Sequence, residues 1–236
     1  MSKTKIKRKT TGFDILYRVI TAIMAAAMLP LALLSKMIFI VVMHEEVSSV
    51  LNALLGKEDP SGTYFEWGFL DLFDSSSSLS LFIDEDSLSG FQFSTVWDNV
   101  YLRAVFIALV FFAIALVISL VILGFAIFSN KIKVITGLSA GGLLAMAASW
   151  ISFTNFFASP LTSGEITLRE IFENMGVVAS LAVGLIDITT VRLMGAFYGV
   201  FFLMLGIFIW SVSVMIVNAD DEKQKAEKAM AKAKNK

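Results

Sequence analysis

Three long apolar stretches, and a fourth that one lysine interrupts, constrain this chain more than any other feature. The clearest runs from Ala104 to Phe128 without a charged residue. Its 25 residues would form a helix of about 37 Å at ~1.5 Å per residue, against a hydrocarbon core of about 30 Å. The others are Val134–Pro160, Leu193–Val217 and Val19–Met43, which contains Lys36. Helices that are apolar on every face belong in a bilayer, so the sequence predicts an integral membrane protein with four spans.

The composition fits one membrane domain. Of the 236 residues, 57% are hydrophobic and only 17% are charged, whereas average globular chains carry about 25% charged residues. We therefore predict an all-α membrane protein, a four-transmembrane-helix bundle, with a small extracellular β-rich module in the first outer loop. The spans are assigned to residues 15–43, 100–128, 134–157 and 192–217. The alternative for the first stretch, a cleaved signal peptide, has an apolar core of only about 7–15 residues, so a retained span is favoured.

Basic residues cluster in three segments that share one side of a four-span protein. Five lie before Thr10 in the tail 1–14, two lie in the turn 129–133, and six lysines lie in the tail 218–236. Because lysine and arginine near span ends favour the cytoplasm, we expect a multi-pass protein of the cell membrane with both termini cytoplasmic. The loops 44–99 and 158–191 are then extracellular.

The first outer loop is acidic and rich in aromatic residues. It holds eleven acidic residues and one lysine. Three pieces have strand-like patterns and predict the β-rich module, and residues 47–55 resemble a short helix; the alternative of a partly disordered loop is disfavoured by the aromatic residues. The predicted strands are Thr63–Phe73, Leu79–Ile83 and Gly90–Val96. The candidate acidic surface comprises Asp71, Asp74, Asp84, Glu85 and Asp86; a solvated surface is favoured over a calcium site, because the EF-hand pattern is absent.

The second outer loop contains a capping signal and a short apolar segment. Thr167 and Glu170 have the spacing of a capping box. The twelve residues from Met175 to Ile186 are too few to cross a bilayer. We interpret them as interfacial or partner-facing, with a re-entrant or poorly packed loop as the alternative. The candidate partner-facing residues are Val177, Val178, Leu181, Val183 and Leu185.

Further features concern the ends and contacts of the spans. Lys36, Arg103 and Arg192 lie near span ends, where they either extend to the interface or pair with loop acids such as Asp98 and Asp187. Asp98 is also the candidate N-cap of the second span. The spacing of Gly137 and Gly141 permits a close helix contact in the third span. The lysine-rich tail after the fourth span is typical of a helical extension.

The sequence contains no recognisable catalytic constellation. There is no cysteine, which excludes disulfides, thiolate nucleophiles and cysteine-bound metals. His44 is the one histidine, and the neighbouring Glu45 and Glu46 diverge from it on a helix or a strand. We therefore predict no catalytic residue, cofactor, metal or nucleic-acid partner. A membrane enzyme is the third-ranked functional class.

The predicted topology resembles that of the claudin superfamily, which has internal termini and a long, strand-bearing first outer loop. Short motifs add to the resemblance. Trp67 and Gly68 lie in a scrambled form of the family's Trp…Gly-Leu-Trp element, and Arg103 is similar to the family's arginine at the start of span two. Trp150 with Pro160, and Gly195, resemble its motifs at spans three and four. The family's paired loop cysteines are absent here, and the motif spacings differ by one or two residues.

Two functional hypotheses follow. The resemblance implies a non-enzymatic protein that assembles through its extracellular loops, as a homo-oligomer or within a larger membrane complex, in adhesion, barrier formation or as an accessory subunit. The alternative is a subunit of an oligomeric, cation-preferring channel, in which the loop acids form a ring at the pore mouth. Both require the lipid bilayer as the surrounding medium.

Overall fold

The computed structural model describes residues 12–42, 63–68, 97–129, 131–167, 170 and 188–234. Four long helices dominate these residues. They are α1 (Gly12–Leu34), α2 (Val100–Phe128), α3 and α4 (Gly195–Lys234). Helix α3 begins as Ile132–Phe153, continues through a π-helical turn at Thr154–Ala158 and ends with the α-helical turn Ser159–Thr162. Three strands accompany them: β1 (Lys36–Val42), β2 (Thr63–Gly68) and β3 (Ile188–Leu193).

All four helices are long and apolar enough to cross a membrane. Only 28% to 33% of each apolar window is buried inside the protein. Large apolar side chains therefore face outward, such as Val117 of α2, which is 59% exposed, and Phe202 of α4, which is 63% exposed. Lipid tolerates such a surface and water does not. The predicted four-span helical architecture is confirmed at this level, as that of a multi-pass membrane protein.

The helices form an antiparallel ring in which α1 and α3 each pack against both α2 and α4. The start of α1 lies beside the later part of α4, since the Tyr17 and Ser211 hydroxyls are 2.9 Å apart in the core. The start of α3 lies there too, because the Thr136 hydroxyl contacts the Met215 sulfur of α4 at 3.9 Å. We call this the terminal end of the bundle, and the opposite end the sheet end.

The three strands form one antiparallel sheet in the order β2-β1-β3. The central residue Ile40 lies opposite Phe65 of β2 and Val191 of β3. Ile40 and Val191 are both buried. The backbone N–H of Met194, just before α4, donates to the Met37 carbonyl at 2.8 Å. The sheet is therefore anchored to the helices at the point where α4 begins.

The first span differs from its predicted range of 15–43. Helix α1 begins at Gly12 and ends at Leu34, and residues 36–42 form β1 instead. Pro30 removes a backbone donor from the last turns of α1. The run from Met37 to Val42 is mostly β-branched and aromatic, and such residues favour a strand when partners are available on both sides.

The β module also differs from the one expected within the first loop. Of the three predicted strands, only residues 63–68 of the first are described, and they form β2. Its partner β1 follows the first span, while β3 occupies residues 188–193, which the sequence assigns to the second loop and the start of the fourth span. The predicted strands at 79–83 and 90–96, and the predicted helix at 47–55, lie outside the described residues.

Several local predictions at helix ends can be compared with the structure. The capping box is confirmed: the Thr167 N–H donates to the Glu170 carboxylate at 2.9 Å, and the Glu170 N–H donates to the Thr167 hydroxyl at 3.2 Å. The N-cap of α2 is Asn99 rather than Asp98, since the Asn99 side chain accepts from the Tyr101 and Leu102 N–H groups. The helical extension after the fourth span is confirmed, because α4 continues without a break to Lys234.

Close helix contact in α3 involves a different glycine from the predicted pair. A Cβ placed on Gly142 would lie 2.7 Å from the Met204 methyl carbon of α4, so the absence of a side chain lets these helices approach. No atom lies within 4 Å of a Cβ placed on Gly137 or Gly141 among the described residues. The predicted pair thus makes no close contact within the described chain.

Packing within the ring should distinguish buried from outward-facing isoleucines of α2. Ile122 is fully buried, while Ile114 is 42% exposed. We expect Ile122→Ala to lower the free energy of unfolding by about 2 kcal/mol, because it leaves a cavity that the neighbouring helices only partly fill. Ile114→Ala is the matched control and should cost less than about 0.5 kcal/mol. Reversible unfolding in mixed micelles measures both values, and equal losses would contradict the assigned core.

Candidate functional site

The sheet end of the bundle gathers the residues that carry the family resemblance. Gly68 closes β2 opposite Lys36 of β1, and Trp67 lies opposite Ile38. Arg103 lies in the first turn of α2, and Gly195 begins α4. The two from α3 are Trp150, which is 45% exposed, and Pro160, which is buried in the last turn. Residues far apart in sequence therefore come together at one end of the fold.

Two groups of predicted site residues lie outside the described residues. They are the acidic surface Asp71, Asp74, Asp84, Glu85 and Asp86, and the apolar set Val177, Val178, Leu181, Val183 and Leu185. His44 also lies outside them. Within the described part of the chain, no group of three or more histidine, aspartate or glutamate side chains could hold a metal ion. The predicted absence of metal and cofactor sites stays a prediction for the whole chain.

Side-chain contacts join the beginning of α2 to the segment that follows α3. The Tyr101 hydroxyl donates to the Glu165 carboxylate at 3.4 Å. Within the same α3 segment, the N–H groups of Glu165 and Ile166 both donate to the Pro160 carbonyl, at 3.0 and 3.3 Å. The positive φ of 73° at Gly164 permits this tight turn. These contacts hold the first part of the second loop against the start of α2.

The charged residues at the sheet end have partners other than those proposed from sequence. The Arg103 guanidinium donates to the Trp97 backbone carbonyl at 3.4 Å rather than to Asp98. Arg192 is exposed on β3 and Lys36 begins β1, and each has an interaction of its own. In the register, Arg192 and Glu66 lie on either side of Phe39, so both side chains belong to the same face of the sheet. Asp187 lies outside the described residues.

An apolar groove opens between α3 and α4 towards the sheet end. Its volume is about 330 Å³. Trp150, Tyr198 and Phe202 on its rim are all more than two-fifths exposed. Behind it, the rings of Phe112 and Phe197 stack at 6.0 Å in the core. The groove is lined by Met146, Ala147, Trp150, Phe197, Tyr198, Phe201 and Phe202.

Arg18 in α1 is a polar residue that the sequence reasoning missed. Its Nε donates to the Ala126 carbonyl at 2.8 Å, and its Nη2 contacts the Ile127 carbonyl. These carbonyls belong to the last turn of α2, where carbonyl groups lack partners within the helix. A cation is also favourable at a helix C-terminus. An arginine near the start of an apolar stretch, opposite a helix end without its own basic residue, is the signal that would have identified it.

Comparisons of this chain with protein-family models, with curated proteins and with solved structures each find no match.

Proposed function

We propose that this chain is a non-enzymatic membrane protein that assembles with itself or with another membrane protein through its two outer loops. The observation that carries the proposal is the shared sheet. Strand β1 forms hydrogen-bonded ladders with β2 from the first loop and with β3 from the end of the second. Both loops are thereby attached to one strand and present a single surface.

The arrangement favours partner binding because loops on a rigid base are a common way to form a binding surface. Ile40 in the centre of the sheet is 2% exposed, and Leu193 of β3 is 5% exposed. The base is therefore packed onto the bundle. The loop segments that leave this base carry the eleven acidic residues of 44–99 and the apolar residues of 175–186. An acidic and an apolar surface side by side suit a partner with matching basic and apolar patches.

Native mass spectrometry of the full chain in mild detergent tests the proposal. We expect a species heavier than the 25.9 kDa monomer, either an oligomer or a complex with a copurifying membrane protein. Crosslinking in intact membranes should give the same stoichiometry. A monomer with no partner in both measurements would contradict the proposal.

A pair of neighbouring β3 variants connects assembly to the sheet. Val191 is buried against the bundle, whereas Arg192 is exposed on the opposite face of the strand. Val191→Asn buries an amide without a partner and should release the assembled species. Arg192→Asn introduces the same side chain at an exposed position and should leave the sheet intact. Unchanged assembly of the Val191→Asn protein would separate assembly from the sheet.

The channel hypothesis rests on the acidic first loop. A ring of carboxylates would concentrate cations at a pore mouth. Planar-bilayer recording of the purified chain separates this function from simple assembly. A cation-selective conductance would favour the channel, while an assembled but electrically silent protein would favour an adhesion or accessory role.

A further inference from the structure

A second groove lies at the terminal end, between α1 and α2. Its volume is about 190 Å³, and Arg18 is its one charged lining residue. Ile15, Val19 and Ile127 on its walls are each about half exposed. The groove is therefore open at the outer surface of the bundle, where lipid surrounds the helices. Its lining residues are Ile15, Arg18, Val19, Ala22, Ala126 and Ile127.

The guanidinium of Arg18 is held in a defined orientation in this groove. Its Nε and Nη2 bind the Ala126 and Ile127 carbonyls, so the edge formed by these two nitrogens is occupied. Arginine carries five N–H donors in a planar fork. The second edge, with both Nη1 hydrogens and the other Nη2 hydrogen, makes no hydrogen bond to the residues that the structure describes. Such an edge matches two oxygens of a phosphate group.

The terminal end is also the basic end of the molecule. Residues 1–18, 129–133 and 220–236 together carry 14 lysine and arginine residues and five acidic residues. Lys131 extends this charge over the last turn of α2, with its Nζ 6.0 Å from the centre of the Phe125 ring. Asp14 lies one turn before Arg18 and already has an interaction of its own. An anionic group is therefore strongly preferred over a neutral one at this end.

We propose that this groove binds an anionic phospholipid. The phosphate binds the second edge of the Arg18 guanidinium, and an acyl chain lies along Ile15, Val19 and Ala22 towards the bilayer centre. Arg18 lies level with the last turn of α2, which is the depth of the membrane interface if α2 spans the bilayer. A cationic group directly above an apolar channel distinguishes a lipid from a free anion. The site does not depend on the loops that carry the proposed function.

Lipid titration of the full-length protein, followed by native mass spectrometry, tests this site. We expect phosphatidylglycerol to be retained about tenfold more strongly than phosphatidylcholine, as a charge-assisted hydrogen bond to phosphate predicts. Arg18→Gln should abolish that preference. Ala22→Leu should also weaken retention by about tenfold, because it fills the apolar part of the groove and leaves every charge unchanged. Arg103→Gln, at the sheet end, is the matched control and should have no effect.

Three results would overturn the proposal. Equal retention of the two lipids would show that the phosphate contributes nothing. Unchanged retention in Ala22→Leu would assign the lipid to the basic tails rather than to the groove. Displacement of phosphatidylglycerol by an equal concentration of inorganic phosphate would identify a free-anion site. Since Arg18 also binds the end of α2, the Ala22→Leu result alone decides if Arg18→Gln fails to fold.

Discussion

Replacing Gly142 by leucine is expected to destabilise the helix bundle by about 1–3 kcal/mol, the usual cost of overpacking a core. Gly142 faces α4, and a Cβ at this position would lie 2.7 Å from the Met204 Cε and 2.9 Å from its sulfur. Met204 is itself fully buried, so its side chain has little free space to move into. The leucine would therefore push α3 and α4 apart along a shared interface. Unfolding in mixed micelles, followed by tryptophan fluorescence, measures the loss.

The neighbouring residue provides the control for this substitution. Gly141→Leu makes the same chemical change one position earlier, where no described atom lies within 4 Å of an added Cβ. Both variants gain the same helix propensity, about 1 kcal/mol for replacing glycine. The difference between them therefore isolates the packing against Met204. Equal stability of the two proteins would show that α3 and α4 are not packed as described.

The helices could be predicted from sequence because their signal is repeated in every residue. Helix α2 has the predicted bounds of 100–128, since an uncharged apolar run of this length has no other stable arrangement in lipid. The extension of α4 to Lys234 follows from residues that favour helix by themselves. The capping box at Thr167 and Glu170 is equally local, because both partners lie within four residues. Local signals of this kind need no knowledge of the fold.

The errors occurred where distant partners decide the structure. Residues 37–42 are apolar enough to continue a span, and only the pairing with β2 and β3 makes them a strand. In the same way, Arg18 acquires its role from carbonyl groups 108 and 109 residues further along the chain. The contact at Gly142 depends on Met204, which no spacing rule within α3 identifies. Hydrophobic runs therefore predict which segments become helices, while the contacts between segments determine where each helix stops and which residues it presents.

The orientation of the bundle leads to an all-or-none labelling result. The native chain has no cysteine, so single cysteines can be introduced without competing thiols. Ser129 lies in the α2–α3 link and Asn235 follows α4, both at the terminal end, whereas Ser163 is exposed in the turn after α3 at the sheet end. In sealed cells, an impermeant maleimide should label Ser163→Cys only, because the positive-inside rule keeps the basic end in the cytoplasm. Ser129→Cys and Asn235→Cys should react only after permeabilisation.

The three positions together separate two kinds of failure. Labelling of Ser129→Cys and Asn235→Cys in sealed cells, with Ser163→Cys protected, would invert the orientation and leave the antiparallel ring unaffected. Labelling of only one of Ser129→Cys and Asn235→Cys would contradict the ring itself, because α3 and α4 must return the chain to the side from which α3 departs. The contacts of Thr136 with Met215 and of Tyr17 with Ser211 require that return. The orientation depends on the segregated charge, whereas the ring depends on these contacts between helices, so each can fail without the other.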